Sequence, residues 1–358
     1  MSTDAACIGP GSRTAATGRV RVALKVALIG LVAILALLLA LVLWPASTRG
    51  LDSHPRPLTT YRAAQEAFAT IRRSERHESV IPTCRSRILT HGGRTHRVMV
   101  LVHGLTNCPA QWMMFGRELY VRGWNVVILR LPDHGIGDVA TDTPAGAGQL
   151  GRLTPAALAR YGDTAVDLAA GLGDHITVMG LSLGGTVAAW IAQERHDVDR
   201  AIVIAPAFGI EGLPYTASWL VTNLFANLPD IAINGRSKVR YEYQGWSTRG
   251  IADTFVLGRK VARDASTTPP GTTSIDVLLN PNDNTISNPR AEAVASRWRD
   301  HGANVRVVWL PRRPKLEHDI VDPHQPWARP AFVYPRLLAL AEAPSARAAS
   351  APRRSSTA

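Results

Sequence analysis

Residues 176–189 read ITVMGLSLGGTVAA. An apolar run enters a Gly-Leu-Ser-Leu-Gly sequence and a small-residue segment leaves it, which predicts strand, tight turn and helix in that order. A serine held at so sharp a bend leaves no room for Cβ atoms two positions before or after it. Gly180 and Gly184 meet that demand, and Gly185 extends it. The pattern makes Ser182 a candidate nucleophile. It also places the Leu183 N–H at a helix N-terminus, where the dipole favours negative charge and a developing oxyanion would find a donor.

The rest of the chain fits around such a turn. Residues 98–102 are five apolar residues in a row, as in a strand buried on both faces. Further strands are expected at 85–89, 125–129, 176–179, 201–205, 275–279 and 305–310, with 82–96 read as an early hairpin turning at Gly92-Gly93. Helices are expected at 109–122, stopped by Gly123, at 154–172, opened by Thr154-Pro155, and at 291–301. Residues 58–78 carry a looser helical pattern. Strands separated by helices of this length imply an α/β chain with a mostly parallel, doubly wound sheet. Some seventy residues separate the strands at 201–205 and 275–279, too many for one crossover. They hold Leu213, Trp219, Leu220, Leu224, Phe225, Leu228, Tyr241, Tyr243 and Trp246, and read as a helical cap over about 207–270. Those side chains either line a pocket or fasten the cap to the body.

In front of this domain, residues 26–43 contain no charge and consist almost wholly of Leu, Ala, Val and Ile, with Trp44 at the boundary. That is close to the ~20 residues of a spanning helix. The exit, Trp44-Pro45-Ala46-Ser47, is a poor match to a signal-cleavage site, so 26–44 is expected to be an uncleaved signal anchor rather than a removed leader. The basic residues of 1–25 favour a cytoplasmic tail and an exported domain, although Arg49, Arg56 and Arg62 on the far side weaken that vote. The organisation expected is therefore a tail at 1–25, the anchor, a linker and helical lead-in at 45–80, a catalytic domain at 81–343 and a disordered Ala/Ser/Pro/Arg tail at 344–358. The net charge of +12 lies largely in the tails. With no basic helix and no aromatic–basic interleaving, it suits an anionic membrane surface and not nucleic acid. Cys7 falls in the tail; Cys84 and Cys108 fall in the exported part, as a disulfide suited to an oxidising compartment or as two unrelated buried thiols.

Five segments taken together resemble the α/β-hydrolases, in particular the carboxylesterase and monoacylglycerol-lipase-like (serine aminopeptidase-like) group. They are VLVHGLTNCP (100–109), RLPDHG (130–135), GLSLGG (180–185), NPNDNTIS (280–287) and LEHD (316–319). The resemblance implies an α/β-hydrolase fold with a helical cap and a Ser182, Asp283, His318 triad, each member just after a strand and in the chain order this architecture uses. His324 is the reserve base and Glu211 the spare acid. By the same resemblance the residue after His103-Gly104, Leu105, supplies the second oxyanion N–H beside Leu183, and His103 itself is structural. Asp133-His134 reads as loop geometry, and Arg312, Arg313 and Lys315 as a solvated loop. Asp319 and Asp322 flank His318, but without a His/Cys cluster at ligand spacing no metal is expected, and no cofactor.

The function implied is a membrane-anchored, extracytoplasmic serine hydrolase. It would cleave a small acyl ester, lipid esters among the candidates, through an acyl-enzyme. Amide or peptide hydrolysis, acyl transfer, and a non-catalytic binding protein on the same fold are the alternatives.

Overall fold

The computed structural model describes residues 11–272 and 274–344. It divides into two units, Met1–Pro45 and Ala46–Ala358. In the first unit, helix α1 (Gly11–Leu43) begins well before the apolar stretch. Its segment Val20–Leu43, 24 residues with none buried, is long and apolar enough to cross a membrane. Residues 1–10 of the basic tail, Cys7 among them, and residues 345–358 of the C-terminal tail lie outside the described residues.

The second unit is built on a seven-stranded sheet. Its strands are β1 (Arg87–Leu89), β2 (Thr95–Val102), β3 (Asn125–Ile128), β4 (Gly173–Leu181), β5 (Arg200–Ile204), β6 (Ser274–Leu279) and β7 (Asn304–Trp309). They lie in the order β1-β3-β2-β4-β5-β6-β7, all parallel except β1. The apolar runs land where expected because strands covered on both faces need continuous hydrophobicity: β3 and β6 are buried along their whole length. The early hairpin does not form. β1 pairs antiparallel with β3, Arg87 opposite Ile128, and Pro82–Cys84 is a 3₁₀ turn. A three-residue edge strand takes the free edge of β3, while β2 is enclosed by β3 and β4.

Helices α2 (Tyr61–His77), α3 (Met113–Val121), α4 (Pro155–Ala170), α5 (Leu183–Glu194), α7 (Thr248–Asp264), α8 (Asn288–Asp300) and α9 (Pro330–Glu342) pack on the two faces of the sheet, and α6 (Tyr215–Asn227) packs against α7. Local chemistry sets their ends. Thr60 and Thr154 cap α2 and α4 by accepting from the N–H groups three residues on, and Gly123, at φ +84°, follows α3. Two hydrophobic clusters, one on each side of the sheet, form the core.

The insertion between β5 and β6 differs from a purely helical cap. It contains α6 and a small antiparallel pair, Ala232–Asn234 with Gly245–Ser247. Helix α7 belongs to the body: Val256, Leu257 and Val261 are buried in the core with α4 and α5 residues. Cys84 and Cys108 are joined in a disulfide that ties the 3₁₀ turn before β1 to the loop after β2.

Candidate active site

Ser182 stands between β4 and α5 with φ +60° and ψ −118°, a backbone that costs a non-glycine residue about 1–3 kcal/mol. The bend is held by the Ser182 N–H on the Ile204 carbonyl (3.0 Å) and the Thr186 N–H on the Ser182 carbonyl (2.8 Å). A Cβ on Gly180 would lie 2.1 Å from the Gly184 carbonyl oxygen, and one on Gly184 would lie 2.0 Å from that of Val102.

Asp283 and His318 come from the loops after β6 and β7. Asp283 Oδ2 lies 2.7 Å from His318 Nδ1, while Oδ1 accepts the N–H groups of Thr285 (2.9 Å) and Ile286 (3.2 Å). The carboxylate is buried and can only accept, so His318 donates from Nδ1 and its lone pair sits on Nε2. Nε2 is buried and makes no hydrogen bond among the described residues. Ser182 and His318 line one cavity, of about 920 Å³, but no hydrogen bond joins them.

Leu105 and Leu183 line the same cavity. Leu183 is the first residue of α5, so its N–H has no intrahelical acceptor. The Leu105 N–H belongs to the Gly104–Leu105 peptide, whose carbonyl receives His103 Nδ1 (2.9 Å). His103 Nε2 accepts the Leu131 N–H (3.0 Å), which leaves the proton on Nδ1. In a trans peptide C=O and N–H point oppositely, so His103 aims the Leu105 N–H away from itself. Burial holds the His103 imidazole well below its ordinary pKa, and therefore neutral. His134, also buried and pushed down to about 4, has Nε2 2.7 Å from the Leu105 carbonyl. The loop role expected of Asp133-His134 is what the geometry gives: Asp133 turns at φ +61°.

The other candidates lie elsewhere. Glu211 is exposed, and His324 bonds Asp322 (3.1 Å) and the Tyr241 hydroxyl (2.8 Å) rather than Asp283. Arg312, Arg313 and Lys315 are exposed. Of the apolar cap residues, Phe225, Tyr243 and Trp246 line the cavity.

Sequence reasoning missed a polar group beside His318. The carboxylates of Glu242, Asp319 and Asp322 lie within 4.8 Å of one another, a spacing that would suit a divalent cation. Amide nitrogens point into the same space: Asn107 Nδ2 reaches Glu242 Oε1 (2.8 Å) and Asp322 Oδ2 (3.0 Å), Gln111 Nε2 reaches Asp319 Oδ2 (2.8 Å), and Gln325 Nε2 reaches Glu242 Oε1 (2.7 Å). Asn107 and Gln111 are fixed as donors, because Asn107 Oδ1 already accepts the Cys108 N–H and Gln111 Oε1 the Gly104 N–H. Donor nitrogens, not ligand oxygens, therefore meet the acids. Burial, with Asp319 and Asp322 nearby, pushes Glu242 up to about 8. A cluster of Asn, Gln and Glu scattered over more than two hundred positions leaves no periodic signal in the sequence; the Asp319/Asp322 pair was its one visible mark.

The family model for the alpha/beta hydrolase fold matches residues 97–229. Among solved structures, one of the metagenome-derived lipolytic enzymes LipS and LipT superposes with a TM-score of 0.54 at 16% identity, over 73% of this chain and 98% of that one. A soluble variant of monoglyceride lipase from Saccharomyces cerevisiae, in complex with a substrate analog, gives 0.52 at 13% identity, over 72% and 90%. No curated protein matches the chain by sequence.

Proposed function

This chain is an α/β-hydrolase by fold, and on that premise we propose that it is a serine hydrolase of carboxylic esters, with Ser182 as nucleophile, His318 as base and Asp283 as its orienting acid. The observation that carries the reading is the His318 Nδ1–Asp283 Oδ2 bond of 2.7 Å beside a serine whose backbone is bent out of the ordinary regions. That bond puts the basic lone pair on Nε2, which has no hydrogen-bond partner among the described residues.

In the reaction proposed, Ser182 Oγ attacks the ester carbonyl carbon as His318 Nε2 takes its proton, and Asp283 stabilises the imidazolium. The carbonyl oxygen becomes an oxyanion and accepts from the Leu105 and Leu183 N–H groups. Collapse breaks the carbon–oxygen bond, His318 returns the proton to the departing alcohol, and an acyl-Ser182 remains. Water, deprotonated by His318, then releases the acid and restores Ser182. The cavity's apolar wall at Phe225, Trp246 and Ile251 suits an acyl chain of short to medium length, and it supports a lipid or other acyl ester as substrate. The sequence calls for no cofactor in these steps.

The same reading makes Val20–Leu43 an uncleaved anchor and places the domain, bounded at about 81–343, on the extracytoplasmic side. The Cys84–Cys108 bridge supports an oxidising compartment. Turnover of a p-nitrophenyl ester series by the membrane fraction, abolished in Ser182→Ala, is the test. Undiminished turnover in that variant overturns the nucleophile, and a soluble mature protein beginning near Ser47 overturns the anchor.

A further inference from the structure

Gln111 is a buried side chain in the 3₁₀ turn Pro109–Trp112 after Cys108. Its two amide atoms do different work. Oε1 accepts the N–H of Gly104 (3.0 Å), and Nε2 donates to Asp319 Oδ2 (2.8 Å). Gly104 is the residue whose carbonyl His103 holds, and the next N–H is that of Leu105. Asp319 follows His318 directly. Its other oxygen is taken by the N–H groups of Val321 and Asp322, both at 3.0 Å, and its carbonyl by Trp327 Nε1 (2.7 Å). Asp319 is thus locked to the His318 loop, and Oδ2 is the oxygen it turns outward. Asn107 Nδ2 (3.3 Å) and Gln325 Nε2 (3.4 Å) also reach that oxygen, at longer range.

We propose that Gln111 is a positioning residue for the Ser182 site, an amide spacer that fixes the distance between the oxyanion loop and the His318 loop. The proposal rests on the reading of Ser182 as nucleophile. Its chemical content is that position 111 must present one acceptor and one donor from a single planar group of this length. Only a carboxamide does so, since a carboxylate has no proton to give Asp319. Ser182 lines one cavity with both loops, so a spacer that shortens or repels moves the Leu105 N–H relative to His318. The groups that face the Gln111–Asp319 bond are Asn107 from its own loop, Glu242 and, beyond it, Tyr241 from the cap, and His318, Asp322, His324 and Gln325 from the far loop. Among the described residues no cation is paired with Asp319 or Glu242 to absorb a second charge, and His324 pairs with Asp322 on the exposed side.

The test is a charge swap read by the second-order rate of inactivation by a fluorophosphonate, on the full-length chain in detergent micelles. Gln111→Glu puts a carboxylate against Asp319 and is expected to slow the reaction by about thirtyfold at pH 8, the effect of about 2 kcal/mol for an unmet buried charge contact. Expressed as a ratio to wild type, the loss shrinks towards pH 6 as the new carboxyl takes up a proton and regains a donor. The double variant Gln111→Glu/Asp319→Asn moves the charge to the other end of the same bond, with the donor now on the 319 side. It is expected to return to within about threefold of wild type. A single variant equal to wild type at pH 8, or a double variant no faster than the slower single, overturns the proposal. If Gln111→Glu does not fold, Gln111→Met decides it, with a loss of about tenfold that does not vary with pH; an unchanged rate overturns the proposal. A wild-type chain inert to the probe overturns the nucleophile reading and the proposal with it, whereas a reactive wild type with an indifferent Gln111 overturns the proposal alone.

Discussion

Asp283→Asn is the substitution whose outcome the site geometry sets most tightly. In the native carboxylate Oδ1 is occupied by the N–H groups of Thr285 and Ile286, so an amide at 283 must turn its oxygen to them and its NH₂ to His318. The side chain is buried. An NH₂ facing Nδ1 forces the imidazole to accept there and to carry its proton on Nε2. A histidine in that tautomer cannot take the proton of Ser182. The comparable change in the serine-protease triad costs about 10⁴ in kcat, equivalent to about 5.5 kcal/mol on the barrier. We expect a loss of that order here, with little change in KM. The assay is steady-state hydrolysis of p-nitrophenyl butyrate, beside circular dichroism to confirm the fold. A loss below about thirtyfold would refute the reasoning, because Asp283 would then not be setting the tautomer.

Three further outcomes follow from the same geometry. Gly184→Ala drives a Cβ to 2.0 Å from the Val102 oxygen and 2.7 Å from that of His103, both fixed backbone; it should destabilise by at least about 3 kcal/mol in thermal unfolding, and a native-like melt would contradict the packing. Glu242 holds a proton in the folded state, with its pKa at about 8, that the unfolded chain loses near 4.5. Folded protein therefore binds the extra proton between those values, and stability falls as pH rises through that window by about 1.4 kcal/mol per unit. Relative to Glu242→Gln, wild type should lose about 2 kcal/mol between pH 6 and 8 in urea unfolding, the slope halving as the folded pKa is reached; a constant difference would show that Glu242 is already ionised at pH 6. The Cys84–Cys108 bridge closes a loop of sequence separation 24 and should add about 3 kcal/mol; alkylation of both thiols in unreduced protein would contradict it.

The fold was legible where hydrophobic pattern decides it. β2 to β7 lie within three residues of the runs that announced them, because a strand covered on both faces leaves an unbroken apolar stretch. The elbow was legible for a different reason: close backbone approaches admit glycine alone, and three glycines around Ser182 record them. Legibility failed where a short segment takes whatever edge is free, as Arg87–Leu89 does on β3, and at α9, where Pro335 in the interior argues against the helix that burial of Val333, Leu337 and Ala341 holds in place. It failed again for Asn107, Gln111, Glu242 and Gln325. Isolated polar residues in separate loops carry no period, and only the folded chain brings them to the back of His318.

The central claim, that Ser182 is a nucleophile activated by His318, is met most directly by mass spectrometry of the full-length protein after a fluorophosphonate. The account predicts one adduct, on the peptide holding Ser182, formed with loss of fluoride and absent after His318→Ala. An adduct on another residue, or no adduct in a folded protein that still turns over esters, would contradict it.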